Sequence, residues 1–371
     1  MQLPYSEQLE IKYLSRLFDN MSESYKIFWF QAIVEGVLRG KNEFSFNELI
    51  DSMIADAWYM VSEYHLNLGP SDTLEKTVLE VYKLSSLRSS EKKEKILEFL
   101  EACRDPGLLN RKRTLTDQVP YRLQAPFMPG FKGTANWRKK GIAERINQQK
   151  RLMYYFVEIC GLDSKILIQL EWTDYVKENQ EIIKGWIQYH LILYLQKRNP
   201  SVPGIASKLF PPEKRNLTRV KHYWKALAET EEFRDVYSGQ PLPGGQMSID
   251  HFVPWSYVAH DELWNLIPTT RWINASKNNR LPDWNTYFGR LCRCEYQAYE
   301  LVWRNDKIHS LFERCMKEHV NDKEAVLTLC RPGIGQEKYF ASLENILRPV
   351  YQAAQNVGFG SWKYQEKEFL K

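Results

Sequence analysis

Through the first two hundred positions, apolar residues recur at the helical period. Between residues 22 and 39 they fall at Ile27, Phe30, Val34, Val37 and Leu38, and Gly40 follows as a natural stop. Ser45 and Glu48 have the spacing of a capping box. They predict a second helix through Met53, Trp58 and Met60 toward Tyr64. Pro70-Ser71-Asp72 predicts a third helix start and Ser89-Ser90-Glu91 a fourth, which Asp105-Pro106-Gly107 ends. Residues 114–134, rich in proline and glycine, read as irregular and exposed. Helix is predicted again over 136–159 and 173–197, before Asn199-Pro200 and Pro211-Pro212 mark a boundary.

Beyond that boundary the period shortens. Residues 247–253 and 263–269 read as two short strands, followed by a helix from Trp272 through Arg280. From Tyr287 onward the chain returns to helix, broken at Arg331-Pro332-Gly333. The fold class expected is mainly α with a small α+β module: a helical region over 1–205, the module over 206–286, and a helical extension over 287–371.

Composition narrows the functional classes. The 371 residues are 43% hydrophobic and 26% charged, the balance of a soluble globular chain. No apolar run approaches the roughly 20 residues of a membrane span. The N-terminus lacks the basic-then-apolar order of a secretory signal, so a cytoplasmic location without membrane association is expected. Six cysteines scattered through a chain of this size predict reduced thiols rather than a disulfide framework.

Charge is unevenly spread. Residues 1–100 hold 11 Lys and Arg against 16 Asp and Glu, a net of −5, whereas residues 111–151 hold 11 against 2, a net of +9. A basic segment of this density predicts a polyanion surface, with Arg111, Lys112, Arg113, Arg138, Lys139 and Lys140 as candidate nucleic-acid contacts. The plainer reading of the same charges is a solvated helix face.

The chemistry concentrates in Ser248-Ile249-Asp250-His251, then Trp264-Asn265, then Asn274, Lys277, Asn278 and Arg280. An Asp-His pair on a strand projects its carboxylate and imidazole to opposite faces. Asn274 and Asn278, four apart, share one helix face. Carboxylate and amide oxygens are hard donors, better suited to Mg²⁺ or Mn²⁺ than to zinc. Trp255, Trp264 and Trp272 read as packing residues, and His260 and Asp261 as solvent-facing loop residues.

The order of these residues resembles the HNH nuclease motif. Asn265 follows His251 by fourteen positions, and Asn274 comes nine further on. The preceding Tyr237-Ser238-Gly239-Gln240-Pro241-Leu242 is similar to the turn before the Asp-His in the HNH domains of type II CRISPR effectors. No cysteine pairs flank the motif, so it resembles the zinc-free branch. The resemblance implies a ββα-metal fold and a metal-dependent endonuclease. Asp250 and Asn274 would then ligate Mg²⁺ (or Mn²⁺), with Asn278 in support. His251 would be the general base, Asn265 its brace, and Lys277 and Arg280 contacts to phosphate. Double-stranded DNA is the partner implied, in the setting of a bacterial defence or restriction system with a protein partner or activator. The alternatives are a non-catalytic nucleic-acid-binding protein that keeps the fold, and an RNA-cleaving effector.

Overall fold

A computed structural model describes residues 2–128, 141–211, 216–242 and 247–365, in two compact units. The first comprises Met1–Pro200 with Lys208–Pro211, and the second Ser201–Ser207 with Pro212–Lys371. No helix among the described residues is long and apolar enough to cross a membrane.

Unit 1 runs α1 (Ile11–Leu14), α2 (Tyr25–Leu38), β1 (Glu43–Ser45), α3 (Phe46–Ser62), α4 (Thr73–Leu84), α5 (Lys93–Ala102), α6 (Pro106–Thr116), α7 (Val119–Arg122), α8 (Ile142–Asn147), β2 (Tyr154–Glu158), β3 (Lys165–Ile168), α9 (Leu170–Glu178) and α10 (Gln180–Arg198). The capping box forms as its spacing predicts: the Ser45 hydroxyl accepts from Glu48 N at 3.1 Å, and the Glu48 carboxylate accepts from Ser45 N at 2.9 Å. Most of α3 is buried, and α2 packs Trp29 edge-on against Phe46. Gly36 is required where it stands, because a Cβ there would lie 2.2 Å from the Phe44 ring.

Two expectations fail in this unit. The helix expected over 136–159 is only α8 in its described part, and the chain then turns into β2, central β3 pairing antiparallel with both β1 and β2. Tyr154 and Phe156 face the core from β2, an alternation that suits a half-buried strand and escaped a helical reading. The stretch expected to be irregular and exposed from 114 is, as far as residue 128, ordered and packed. It contains the end of α6, all of α7 and a 3-10 turn over Ala125–Phe127, with Leu115, Val119, Leu123 and Phe127 buried. Proline at the first turn of a helix is compatible with that helix, which is how Pro106 and Pro120 are used.

Unit 2 runs α11 (Thr218–Thr230), β4 (Met247–His251), α12 (Trp255–Val258), β5 (Leu266–Thr270), α13 (Arg271–Lys277), β6 (Leu281–Pro282), α14 (Trp284–Arg304), α15 (Asp306–His319), α16 (Lys323–Thr328), α17 (Gln336–Asn356) and β7 (Ser361–Trp362). β4 and β5 pair antiparallel, with Asp250 opposite Ile267 and His251 opposite Leu266. α11 closes over this hairpin: Trp224 is buried and its indole N–H donates to Leu266 O at 3.0 Å. The C-terminal helices belong to the same compact unit as the hairpin, and β7 pairs in parallel with β6 just after α13. All six thiols are free.

Candidate nuclease site

The site begins with a turn. Asp235 accepts hydrogen bonds through Oδ1 from Tyr237 N (2.9 Å) and Ser238 N (2.8 Å), and its Oδ2 accepts from the Thr269 hydroxyl of β5. Gly239, at φ +74°, lets the backbone fold back so that its N–H reaches Asp235 O. The turn aims Tyr237 inward, where its hydroxyl donates to Asp250 Oδ2. Burial, then the neighbouring Asp250 carboxylate, pushes the Tyr237 phenol well above its usual range, so it stays a donor.

β4 presents Asp250 and His251 to different partners, as alternation along a strand requires. Asp250 is buried, and the Lys277 ammonium lies 3.1 Å from each of its carboxylate oxygens. Lys277 also donates to His251 O at 2.7 Å. It is fully buried, so desolvation lowers its pKa while Asp250 pulls the other way. The expectation of Lys277 as a phosphate contact is therefore corrected: its ammonium is spent on β4. One turn earlier on α13, Asn274 Nδ2 donates to Ser248 Oγ and Ile249 O, both at 3.0 Å. Two side chains thus clamp α13 onto the strand that carries Asp250 and His251. The Thr270 hydroxyl accepts from Ile273 N and starts that helix at the end of β5.

His251 Nε2 lies 2.7 Å from Asp261 Oδ1. The pair favours the tautomer with the proton on Nε2 and the lone pair on Nδ1. Asp261 is itself anchored, because its carbonyl contacts His319 Nδ1 at 2.9 Å. The adjacent Glu262 carboxylate accepts from Asn321 N and Nδ2. Asp261 was expected to face solvent, and the structure corrects this: the loop between the strands folds back onto the imidazole. No local pattern signals such a contact ten residues away.

Asn265 has no exposure, and both ends of its amide are bonded: Oδ1 accepts from Val253 N at 2.8 Å and Nδ2 donates to Val253 O at 2.9 Å. Its backbone carbonyl accepts from Phe252 N. These bonds fix the chain immediately after His251. Asn278 is exposed at the end of α13 with φ +48°, and no hydrogen bond among the described residues draws its side chain toward Asp250. Arg280 turns its guanidinium to the carbonyls of Ser276 and Lys277, closing α13. Trp272, expected to pack, is 70% exposed on the outer face of α13, whereas Trp264 is buried as expected.

The basic segment behaves differently from its charge count. Lys112 is 1% exposed, ion-paired with Asp51 and hydrogen-bonded to Asn47 Oδ1, so it is a structural residue and not a nucleic-acid contact. Arg111 pairs with Glu80, and Arg113 is exposed in the last turn of α6. Arg138, Lys139 and Lys140 lie outside the described residues.

Residues 235–283 match the HNH endonuclease family, from the Asp235 turn to the end of β6. The chain carries an HNH domain. No curated protein and no solved structure matches the chain. HNH nucleases generally use a divalent ion. Among the described residues, no group of three or more His, Cys, Asp and Glu is placed to hold one. The donor set nevertheless suits a hard cation. With Asn274 Nδ2 committed to β4, its amide oxygen remains the acceptor end. Asp250 is engaged by Lys277 and Tyr237, but a carboxylate offers about four lone-pair sites, more than these two take. Mg²⁺ characteristically takes one or two protein oxygens and keeps its waters, which such a pair could provide.

Proposed function

We propose that this protein is a metal-dependent endonuclease that hydrolyses DNA phosphodiester bonds, with His251 as general base. The observation that carries the reading is the His251–Asp261 contact beside a carboxylate and an amide, on a hairpin and helix that match the HNH family. Histidine has an unperturbed pKa of about 6.5, so near neutrality it can take a proton from an attacking water. Asp261 holds the ring and its tautomer, and Asn265 holds the backbone on which the ring is mounted. Asp250 and Asn274 are the residues that would hold Mg²⁺ or Mn²⁺. Such an ion, when bound, stabilises charge on the phosphate and on the leaving oxygen. Lys277 bridges the Asp250 carboxylate and the carbonyl of His251, setting carboxylate and imidazole at a fixed separation.

The test uses supercoiled plasmid incubated with Mg²⁺ and either the wild-type protein or the His251→Ala or Asp250→Ala variant. Nicking by the wild type alone is expected, and equal nicking by all three would refute the assignment. A second reading has its own support: Asp250 is already engaged by Lys277 and Tyr237, as in a nucleic-acid-binding protein that keeps the HNH fold without turnover. Salt-sensitive DNA binding with no cleavage in Mg²⁺ or Mn²⁺ would favour it.

A further inference from the structure

The HNH unit carries a cationic groove that its family motif does not include. It lies between α11 and α15, is lined by Arg219, His222, Leu311, Arg314 and Lys317, and encloses about 490 Å³. Among the described residues none of its lining side chains is acidic, although Glu318 of α15 pairs with the lining Arg219. The two helices pack through their apolar faces, where Tyr223 meets Phe312, and this turns their basic residues outward along one seam.

Several exposed cations elsewhere on the unit are matched within a helical turn, as in Lys225–Glu229, Arg304–Glu300 and Arg348–Glu344. The acids on α15 are used in other ways: Glu318 pairs with Arg219, and Glu313 approaches His309. Arg314 and Lys317 are exposed and have no ion-pair partner among the described residues. Two unmatched cations one turn apart, beside an imidazole and the paired Arg219, leave a net positive cluster that a polyanion would relieve. One wall of the groove, α15, also reaches the site. On the opposite face of that helix from Lys317, since residues two apart do not share a face, His319 contacts the Asp261 carbonyl, and the Asp261 carboxylate contacts His251.

We infer that the α11–α15 groove seats the phosphate backbone of the nucleic acid that the HNH site cuts, with Arg314 and Lys317 as its principal contacts. The assignment rests on the nuclease reading and moves the phosphate contacts from the basic segment of unit 1 to the unit that carries His251. Backbone contacts of this kind position a duplex without reading its sequence. Each should contribute to the salt dependence of binding, because a neutralised phosphate releases counterions.

The experiment measures fluorescence anisotropy of a short labelled DNA duplex with the full-length protein, in EDTA, across a range of salt. The variant is Arg314→Gln/Lys317→Gln. Its charge-matched control, Lys323→Gln/Lys338→Gln, removes two exposed lysines from α16 and α17 of the same unit. For the groove variant, the slope of log affinity against log salt should become shallower by about 2, and affinity at moderate salt should fall about tenfold. The control should keep the wild-type slope. An unchanged slope in the groove variant, or an equal loss in the control, overturns the assignment. Cleavage assays separate this failure from failure of the nuclease reading. If His251-dependent nicking persists while the groove variant binds as wild type, only the groove is wrong. If the wild type neither binds nor cuts DNA, both are wrong.

Discussion

Each unit of this protein buries one lysine against one aspartate, and the two pairs have different consequences. In unit 1, Lys112 meets Asp51 and adds a bond to Asn47, all within packed helices. In unit 2, Lys277 meets Asp250, and the same ammonium reaches the His251 carbonyl while Tyr237 shares the carboxylate. Both lysines were expected to touch phosphate. The chemistry of the pairs is alike, so a buried lysine–aspartate pair says little by itself about function. What distinguishes the second is its surroundings: an imidazole on the next residue, an amide one turn away, and a family match over the whole segment.

The largest effect expected is on catalysis in unit 2 alone. His251→Ala should lower plasmid nicking by at least about 10²–10⁴-fold, the usual worth of a general base. Lys112→Ala should leave nicking per folded molecule unchanged. Equal losses in both would erase the distinction between the pairs.

Stability should then treat the pairs alike. Lys112→Met and Lys277→Met should each cost about 3–5 kcal/mol in chemical denaturation, because each strands a buried carboxylate. Replacing both partners should recover much of that loss in either unit. Asp51→Leu/Lys112→Met should then cut DNA as the wild type does, whereas Asp250→Leu/Lys277→Met should be stable and inactive. A cleaving Asp250 double variant would show the second pair to be as purely structural as the first.

A smaller loss is expected one step out from the imidazole. Asp261→Asn should reduce kcat by about 10- to 100-fold, typical of removing a group that orients a histidine. KM should be unchanged and Asp261→Glu should recover part of the loss. A rise in KM with kcat intact would assign Asp261 to substrate binding instead.

A third buried carboxyl sharpens the comparison because it lacks a lysine. Burial pushes Glu295 up to about 8, and its Oε1 has no hydrogen-bond partner. Asp51, buried but opposed by Lys112, is pushed up only to about 6. The folded state therefore keeps a proton on Glu295 that the unfolded chain releases above its ordinary value of 4.5. Unfolding free energy should accordingly fall as pH rises between 4.5 and about 8, by at most roughly 1.4 kcal/mol per pH unit. Glu295→Gln should flatten that decline in denaturation curves taken at pH 6 and pH 8. A decline as steep as in the wild type would place its origin elsewhere.

Much of this protein was legible along the chain because the signals are local. The capping box at Ser45 and Glu48, the breaks at proline and glycine, and the strand-strand-helix order after Tyr237 each depend on residues a few positions apart. The candidate site residues Asp250, His251, Asn265 and Asn274 were singled out the same way, by order and spacing. The helix expected through 136–159 failed for the complementary reason: β2 exists because β3 pairs with it, and pairing partners are not encoded in one segment's period.

Burial and charge pairing were decided only in three dimensions. Lys112, Lys277 and Arg314 are all basic residues on helices, yet two are internal counter-charges and one is open to solvent. Asp261 became a partner of His251 because the loop between two strands must return to the hairpin it joins. Sequence determines which groups a protein owns and which helices and strands present them. Whether a charge is consumed internally or offered to a ligand depends on what packs against it, and that is a property of the folded chain alone.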